Sequence, residues 1–205
     1  MKIAIIGLGY VGLPLVLRFA GSNVSVLGLD VDPAKVDAIN AGRSYIKHIE
    51  ASQITVARDS GCLEASTDFS RVAEVEAVLI CVPTPLNQYR EPDISYVLKS
   101  GQAIAPYLSS SEQGTQANIA PLVDVKGCPQ GGVVPMAQVP RPKLVVLEST
   151  TYPGTTDTEL REVLEAGSGL KAGEGFHLAF SPEREDPGRK DHSLKSIPKV
   201  MGGYT

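Results

Sequence analysis

An α/β fold, with a doubly wound, mainly parallel six-stranded sheet and helices on both faces, is predicted by three features of this sequence. First, short continuous apolar runs, such as Ile3-Ala4-Ile5-Ile6 and Val78-Leu79-Ile80-Cys81-Val82, alternate with segments of helical pattern. Such runs are too short for surface helices and read as strands buried on both faces, the kind found in parallel sheets. Second, the glycines Gly7, Gly9 and Gly12 follow the first run at once in G-x-G-x-x-G spacing and open a helix over Leu13–Ala20. Third, four loops of unusual sequence follow strand ends: Gly7–Gly12, Val82–Leu86, Ser149–Gly154 and Ser181–Gly188. In open sheets of this kind ligands bind beyond the carboxyl ends of the strands, at the switch point between halves.

The glycine stretch carries the first chemical signal. Gly7 permits the tight turn, Gly9 lets a pyrophosphate approach the backbone, and Gly12 lets the helix lie close on the strand. Phosphates then sit on the free N–H groups and positive dipole end of that helix. A second apolar strand, Val24–Leu29, ends in Asp30, close to the spacing of about 20 residues that the Rossmann fingerprint requires. A carboxylate there accepts hydrogen bonds from a ribose 2′-hydroxyl and repels a 2′-phosphate, which favours NAD over NADP. The competing reading is an ordinary strand-turn-helix with an exposed Asp.

The remaining elements follow in order. Asp32-Pro33 pairs an N-cap carboxylate with Pro at the first helical position and predicts a helix to about Ala41, stopped by Gly42. Ser44–Ile49 is a connector and Glu50–Ser60 a short helix before Gly61. Leu63–Ser66 is the third strand, with Thr67 or Asp68 capping a helical turn. Glu76–Val82 is the fourth strand, halted by Pro83-Thr84-Pro85. A helix is predicted from Asp93 to Leu108, and the fifth strand over Lys143–Leu147. Thr156–Glu159 has the form of a capping box, predicting a helix over Asp157–Ala166. Phe176–Phe180 is the sixth strand.

Composition narrows the function classes. The 205 residues carry a net charge of −4, which gives no basic stripe for nucleic acid and no polybasic membrane patch. No uninterrupted apolar stretch reaches about 18 residues, so no membrane-spanning helix is expected. A signal peptide is not expected either, because the first strand begins at residue 2 and glycines break its apolar run. Cys62, Cys81 and Cys128 are scattered without metal spacing, which suits a reducing cytoplasm, and Cys81 reads as inert core. Ser109–Pro142 does not fit the pattern. It is rich in Pro, Gly, Gln and Ser and far longer than the two to six residues usual between such elements. It reads as a poorly ordered insertion in a single domain over residues 1–205, with a functional lid as the alternative.

The segments GLGYVGLPL, CVPTPL, ESTTYPGTT and SPEREDPGR, together with SYIKHI, occur in family order. They resemble the NAD-binding N-terminal domain of the UDP-glucose/GDP-mannose dehydrogenase family. The similarity covers nearly the whole chain except Ser109–Pro142 and is closest to the UDP-N-acetylhexosamine 6-dehydrogenase branch. The resemblance implies a cytoplasmic oxidoreductase that oxidises the C6 alcohol of a UDP-sugar to a carboxylate with two NAD molecules in succession. It also implies a homo-oligomeric parent enzyme.

Carried onto this sequence, the resemblance implies that Gly7, Gly9, Tyr10, Val11 and Gly12 hold the pyrophosphate and Asp30 the adenosine ribose. Lys35 stands where the family often has a basic residue near the cofactor, though a solvated helix residue is the plainer reading. Val82, Pro83, Thr84 and Pro85 line the cofactor cleft, or serve as a rigid strand terminator. Ser149, Thr150 and Thr151 face the nicotinamide, and Thr151 matches a threonine that orders a water; a turn threonine is the alternative. Glu183 matches the glutamate of the substrate loop that assists acid/base steps and thioester hydrolysis, and Arg184, Glu185 and Asp186 shape the sugar pocket.

The family's nucleophile is a cysteine in a G-x-C-like segment of a C-terminal domain, and none of the three cysteines here lies in such a segment. The resemblance therefore implies about half an enzyme. The central helix with its catalytic Lys and Asn, and the UDP-binding domain, would follow Thr205. Two other readings are open: a stand-alone NAD-binding module without catalysis, and a β-hydroxyacid-type dehydrogenase. The latter leaves the TTYPG and SPERED loops unaccounted for.

Overall fold

The computed structural model describes residues 1–109, 142–182 and 200–204. Six runs and one glycine pair become strands: β1 (Lys2–Ile6), β2 (Ser25–Leu29), β3 (Leu63–Ser66), β4 (Ala77–Ile80), β5 (Lys143–Leu147), β6 (Phe176–Phe180) and the glycine pair β7 (Gly202–Gly203). They form one sheet in the order β3-β2-β1-β4-β5-β6-β7. All neighbours are parallel except β6 and β7, which are antiparallel. The chain reverses its winding between β1 and β4, which is the switch point of a doubly wound sheet.

The seventh strand is one more than predicted. Two glycines carry no side-chain alternation, so sequence pattern is blind to them. Their backbone pairs with Phe180 and Ala179 at the edge of β6.

Both faces of the sheet are covered, which explains why its strands read as continuous apolar runs. On one face Ile3, Ile5, Leu79 and Val146 pack with Leu13 and Val16 of α1 (Gly12–Ala20). The same cluster takes Val36 and Ile39 of α2 (Pro33–Asn40) and Ile54 of α3 (Ala51–Asp59). On the other face Ala4, Ile6, Val78 and Val145 pack with Val97 and Ile104 of α4 (Ser95–Ile104) and Leu164 of α5 (Arg161–Ser168). Successive residues of β1 thus serve opposite cores, as the period of a strand dictates.

Helix starts follow local chemistry. Asp32 caps α2 by accepting from the Ala34 N–H at 2.9 Å, with Pro33 at the first helical position. Asp68, rather than Thr67, caps the 3₁₀ turn Phe69–Glu74 through the Ser70 N–H. The helix predicted from Asp93 begins two residues later, because the Asp93 carboxylate turns back onto the Ser95 N–H at 2.9 Å. It tightens to a 3₁₀ turn at Ala105–Tyr107, where Pro106 has no N–H for the α-helical ladder.

The predicted capping box at Thr156–Glu159 does not form. Gly154, at φ +99°, starts a wider π-helical turn over Thr155–Leu160 that leads into α5. Thr155 is buried and donates its hydroxyl to the Tyr152 carbonyl, while Tyr152 Oη donates to Glu159 Oε1 at 2.8 Å. Glu159 is thereby engaged elsewhere.

At the amino edge of the sheet, Lys143 is 5% exposed and donates Nζ to the carbonyls of Ala73 and Val75 at 3.1 and 2.6 Å. Burial pushes its ammonium below the usual lysine range. Lys143→Met leaves two carbonyls without their donor and is expected to cost about 2 kcal/mol. A urea unfolding midpoint equal to that of the wild type would refute this role. Cys81 is buried as predicted and Cys62 is half-buried; Cys128 lies outside the described residues.

Candidate functional site

The carboxyl edge of the sheet is level. Immediately beyond five adjacent strands, the backbone N–H groups of Asp30, Gly7, Cys81, Glu148 and Ser181 donate to Ser66, Leu29, Ile6, Ile80 and Leu147 at 2.8–3.3 Å. These residues form one row in the register of the sheet, and all four loops singled out from the sequence leave from it.

The glycine loop obeys steric limits at two positions. Gly7 has φ +90°, and a Cβ there would stand 2.6 Å from the Cys81 carbonyl oxygen. A Cβ on Gly12 would stand 1.8 Å from the Gly7 carbonyl oxygen, so α1 crosses its own entry turn at backbone contact. Gly9 is different, since a Cβ there would meet nothing within 4 Å. A side chain at Gly9 would project into open space. Val11 holds the N-cap position of α1 with no side-chain bond to the first turn, and a helix end of this kind can accept an anion. Tyr10 is exposed and stacks on His48, ring centroids 6.0 Å apart.

Asp30, 5% exposed, is tied into this loop. Its Oδ2 accepts from the Leu8 N–H at 2.8 Å and from Lys35 Nζ at 3.1 Å, and its Oδ1 accepts from the Asp32 N–H at 2.9 Å. Lys35 is therefore no solvated bystander; it neutralises the carboxylate at the end of β2. Oδ1, with one partner, keeps acceptor capacity for a further donor.

The loops after β4 and β5 are stitched to each other. Ser149 is buried and donates to the Val82 carbonyl at 2.8 Å, and Thr84 Oγ1 donates to the Thr150 carbonyl at 2.6 Å. Pro83 and Pro85 are exposed. The Pro85 carbonyl accepts from the Asp93 N–H at 2.7 Å, closing a small loop before α4. Thr151 is half-buried on the wall of an open depression of about 570 Å³, shared with Tyr152, Phe180, Gly202 and Tyr204. Glu183, Arg184, Glu185 and Asp186 lie outside the described residues.

Sequence reasoning missed several contributors. Ser181 is 1% exposed, and its hydroxyl has no partner among the described residues. Glu148 is buried beside it in the row. Tyr45 donates its hydroxyl to the Leu8 carbonyl at 2.5 Å. A polar residue closing an apolar strand run was the available signal for Glu148 and Ser181; Tyr45 stood in the SYIKHI segment, to which no site role was given. Among the described residues no cluster of His, Cys, Asp or Glu has the form of a metal site.

The description "UDP-glucose/GDP-mannose dehydrogenase family, NAD binding domain" matches residues 1–114 and 133–205. The chain belongs to the UDP-glucose/GDP-mannose dehydrogenase family. The gap in the match, 115–132, falls within the stretch read as an insertion. UDP-N-acetyl-D-glucosamine 6-dehydrogenase of Salmonella typhi is 32% identical over 205 residues, covering 100% of this chain and 40% of that protein. UDP-N-acetyl-D-mannosamine dehydrogenase of Escherichia coli K12 is 33% identical over 210 residues, covering 99% of this chain and 42% of that protein. The crystal structure of an NDP-N-acetyl-D-galactosaminuronic acid dehydrogenase from Methanosarcina mazei superposes with TM-score 0.77 at 31% identity, over 98% of this chain and 38% of that one. The chain thus spans about two fifths of the length of the relatives it matches.

Members of this dehydrogenase family are oxidoreductases, and the matched domain is the one that binds NAD. The residues present fit that cofactor: an open face at Gly9, an uncapped helix end at Val11, and a carboxylate at Asp30 with acceptor capacity left. No described helix is long and apolar enough to cross a membrane.

Proposed function

We propose that this chain is the NAD-binding part of a UDP-sugar 6-dehydrogenase acting on a UDP-N-acetylhexosamine, with the rest of the catalytic apparatus supplied by sequence beyond Thr205. One observation carries the reading. The glycine loop, the proline loop and the Ser149–Gly154 loop leave one level row, and hydrogen bonds at Thr84 and Ser149 lock the last two together. A rigid cleft wall of this kind holds an extended dinucleotide across the switch point. The names of the Salmonella and Escherichia relatives support an N-acetylated UDP-sugar.

In this reading Gly9, Tyr10, Val11 and Gly12 receive the pyrophosphate and Asp30 the adenosine ribose. NAD supplies hydride acceptance when bound. Thr151 both accepts and donates a hydrogen bond, which suits it to aim a water at an acyl carbon. Glu183 exchanges protons with substrate and water, a role that a carboxyl group in a closed cleft can fill near neutrality.

The reading is tested on the 205-residue chain by titration calorimetry with NAD, followed by NADH absorbance in the presence of NAD and UDP-N-acetylglucosamine. Binding without turnover is expected. Absence of NAD binding overturns the cofactor assignment, and sustained NADH formation overturns the need for further sequence.

A further inference from the structure

Leu8, the residue between Gly7 and Gly9, is pinned at three points. Its N–H is held by Asp30 Oδ2 at 2.8 Å and its carbonyl by Tyr45 Oη at 2.5 Å. Its side chain is fully buried and occupies the space over Gly28 of β2, where a Cβ would come within 2.9 Å of Leu8 Cδ2. Two residues on, Tyr10 stacks on His48 at 6.0 Å with an interplanar angle of 29°.

Tyr45 and His48 both belong to the connector Ser44–Ile49, the SYIKHI segment, which has no part in the cofactor reading given above. Its residues divide by spacing. Ile46 and Ile49, three apart, are 3% and 7% exposed and sit in the core that also holds α1. Tyr45 and His48, also three apart, reach the glycine loop instead. Ser44 turns the connector by accepting from the Ile46 N–H at 3.2 Å. One side of the connector is thus nailed to the core while the other brackets the loop on either side of Gly9.

We propose that Ser44–Ile49 is a clasp that fixes the glycine loop in its diphosphate-binding shape, with Tyr45 and His48 as positioning residues. The inference rests on the NAD-binding reading above and concerns the diphosphate of that ligand. Gly9 alone gives the loop many conformations, and the flanking tethers remove them before a ligand arrives. Preorganisation of this kind raises affinity by lowering the ordering cost at binding. Burial, followed by the charges of Asp30 and Asp32, pushes the Tyr45 phenol above its usual range, so it stays protonated and remains a donor.

The test compares NAD, ADP-ribose and adenosine, by calorimetry for the first two and by NMR titration for the third. Tyr45→Phe keeps the ring and deletes the hydroxyl. Its affinity for NAD and for ADP-ribose is expected to fall about five- to tenfold, with adenosine unchanged. His48→Ala is expected to weaken the same two ligands about threefold, and His48→Phe, which keeps a ring under Tyr10, to restore them. Wild-type affinity for ADP-ribose in Tyr45→Phe, or an equal loss for adenosine, overturns the clasp. Unchanged binding in His48→Ala removes His48 from it. Failure of the wild-type chain to bind ADP-ribose overturns the cofactor reading, and the clasp falls with it.

Discussion

Gly12→Ala is expected to destabilise the fold by about 3 kcal/mol or more and to abolish NAD binding. The added Cβ would lie 1.8 Å from the Gly7 carbonyl oxygen and 3.4 Å from Ile5 Cγ2. Neither neighbour is a flexible side-chain tip that can step aside. Gly7 is itself fixed, by its φ of +90° and by its N–H bond to the Leu29 carbonyl. Relief requires α1 to move off the sheet, and Leu13 and Val16, both fully buried, would leave the core with it. The contrast with Gly9→Ala makes the experiment decisive. That Cβ meets nothing within 4 Å, so the variant should unfold near the wild-type temperature while binding NAD at least tenfold more weakly. Thermal unfolding and calorimetry on the two variants separate the packing role from the ligand-facing role. Equal stability of Gly12→Ala and wild type would show that the helix does not need backbone contact with its entry turn.

Much of this was legible because the chemistry is local. The segments Leu63–Ser66, Lys143–Leu147 and Phe176–Phe180 become strands with those bounds, although Glu64, Ser66, Lys143 and His177 stand among their apolar residues. Asp32-Pro33 and Asp68 cap as their types demand. What escaped notice depends on contacts distant in sequence. The Tyr45 hydroxyl meets a carbonyl 37 residues earlier, and Lys143 holds carbonyls 70 and 68 residues earlier. Gly28 lies within an apolar strand, and its missing side chain is the groove that admits Leu8. The capping box failed through nearer contacts, three and seven residues apart. Tyr152 and buried Thr155 make bonds that a four-residue pattern does not encode. At the site, the glycines, Asp30 and the strand-end loops were recognisable as types at a spacing. The stitching of Thr84 to Thr150 and of Ser149 to Val82 is a property of the assembled edge alone.

Asp30→Ala is expected to reduce NAD affinity about 30- to 100-fold and to erode the preference for NAD over NADP. Two losses combine. The ribose loses a charged acceptor, and hydrogen bonds to charged groups contribute about 1.5–3 kcal/mol. The glycine loop loses the anchor on the Leu8 N–H, and the Asp32 N–H is orphaned beside it. The same two N–H groups predict a loss of stability of about 2–4 kcal/mol, so binding is to be measured well below the unfolding temperature. The cofactor preference is the sharper readout. In the proposed reading Asp30 repels a 2′-phosphate directly, and it also holds Lys35 at 3.1 Å. Removing the carboxylate therefore lifts a repulsion and frees an ammonium that can meet the phosphate. NADP affinity should fall much less than NAD affinity, or rise. An NAD-to-NADP ratio identical to that of the wild type would place the ribose away from Asp30. Lys35→Ala is the companion measurement. It leaves the carboxylate without its counter-charge, so the discrimination against NADP should strengthen where Asp30→Ala weakens it.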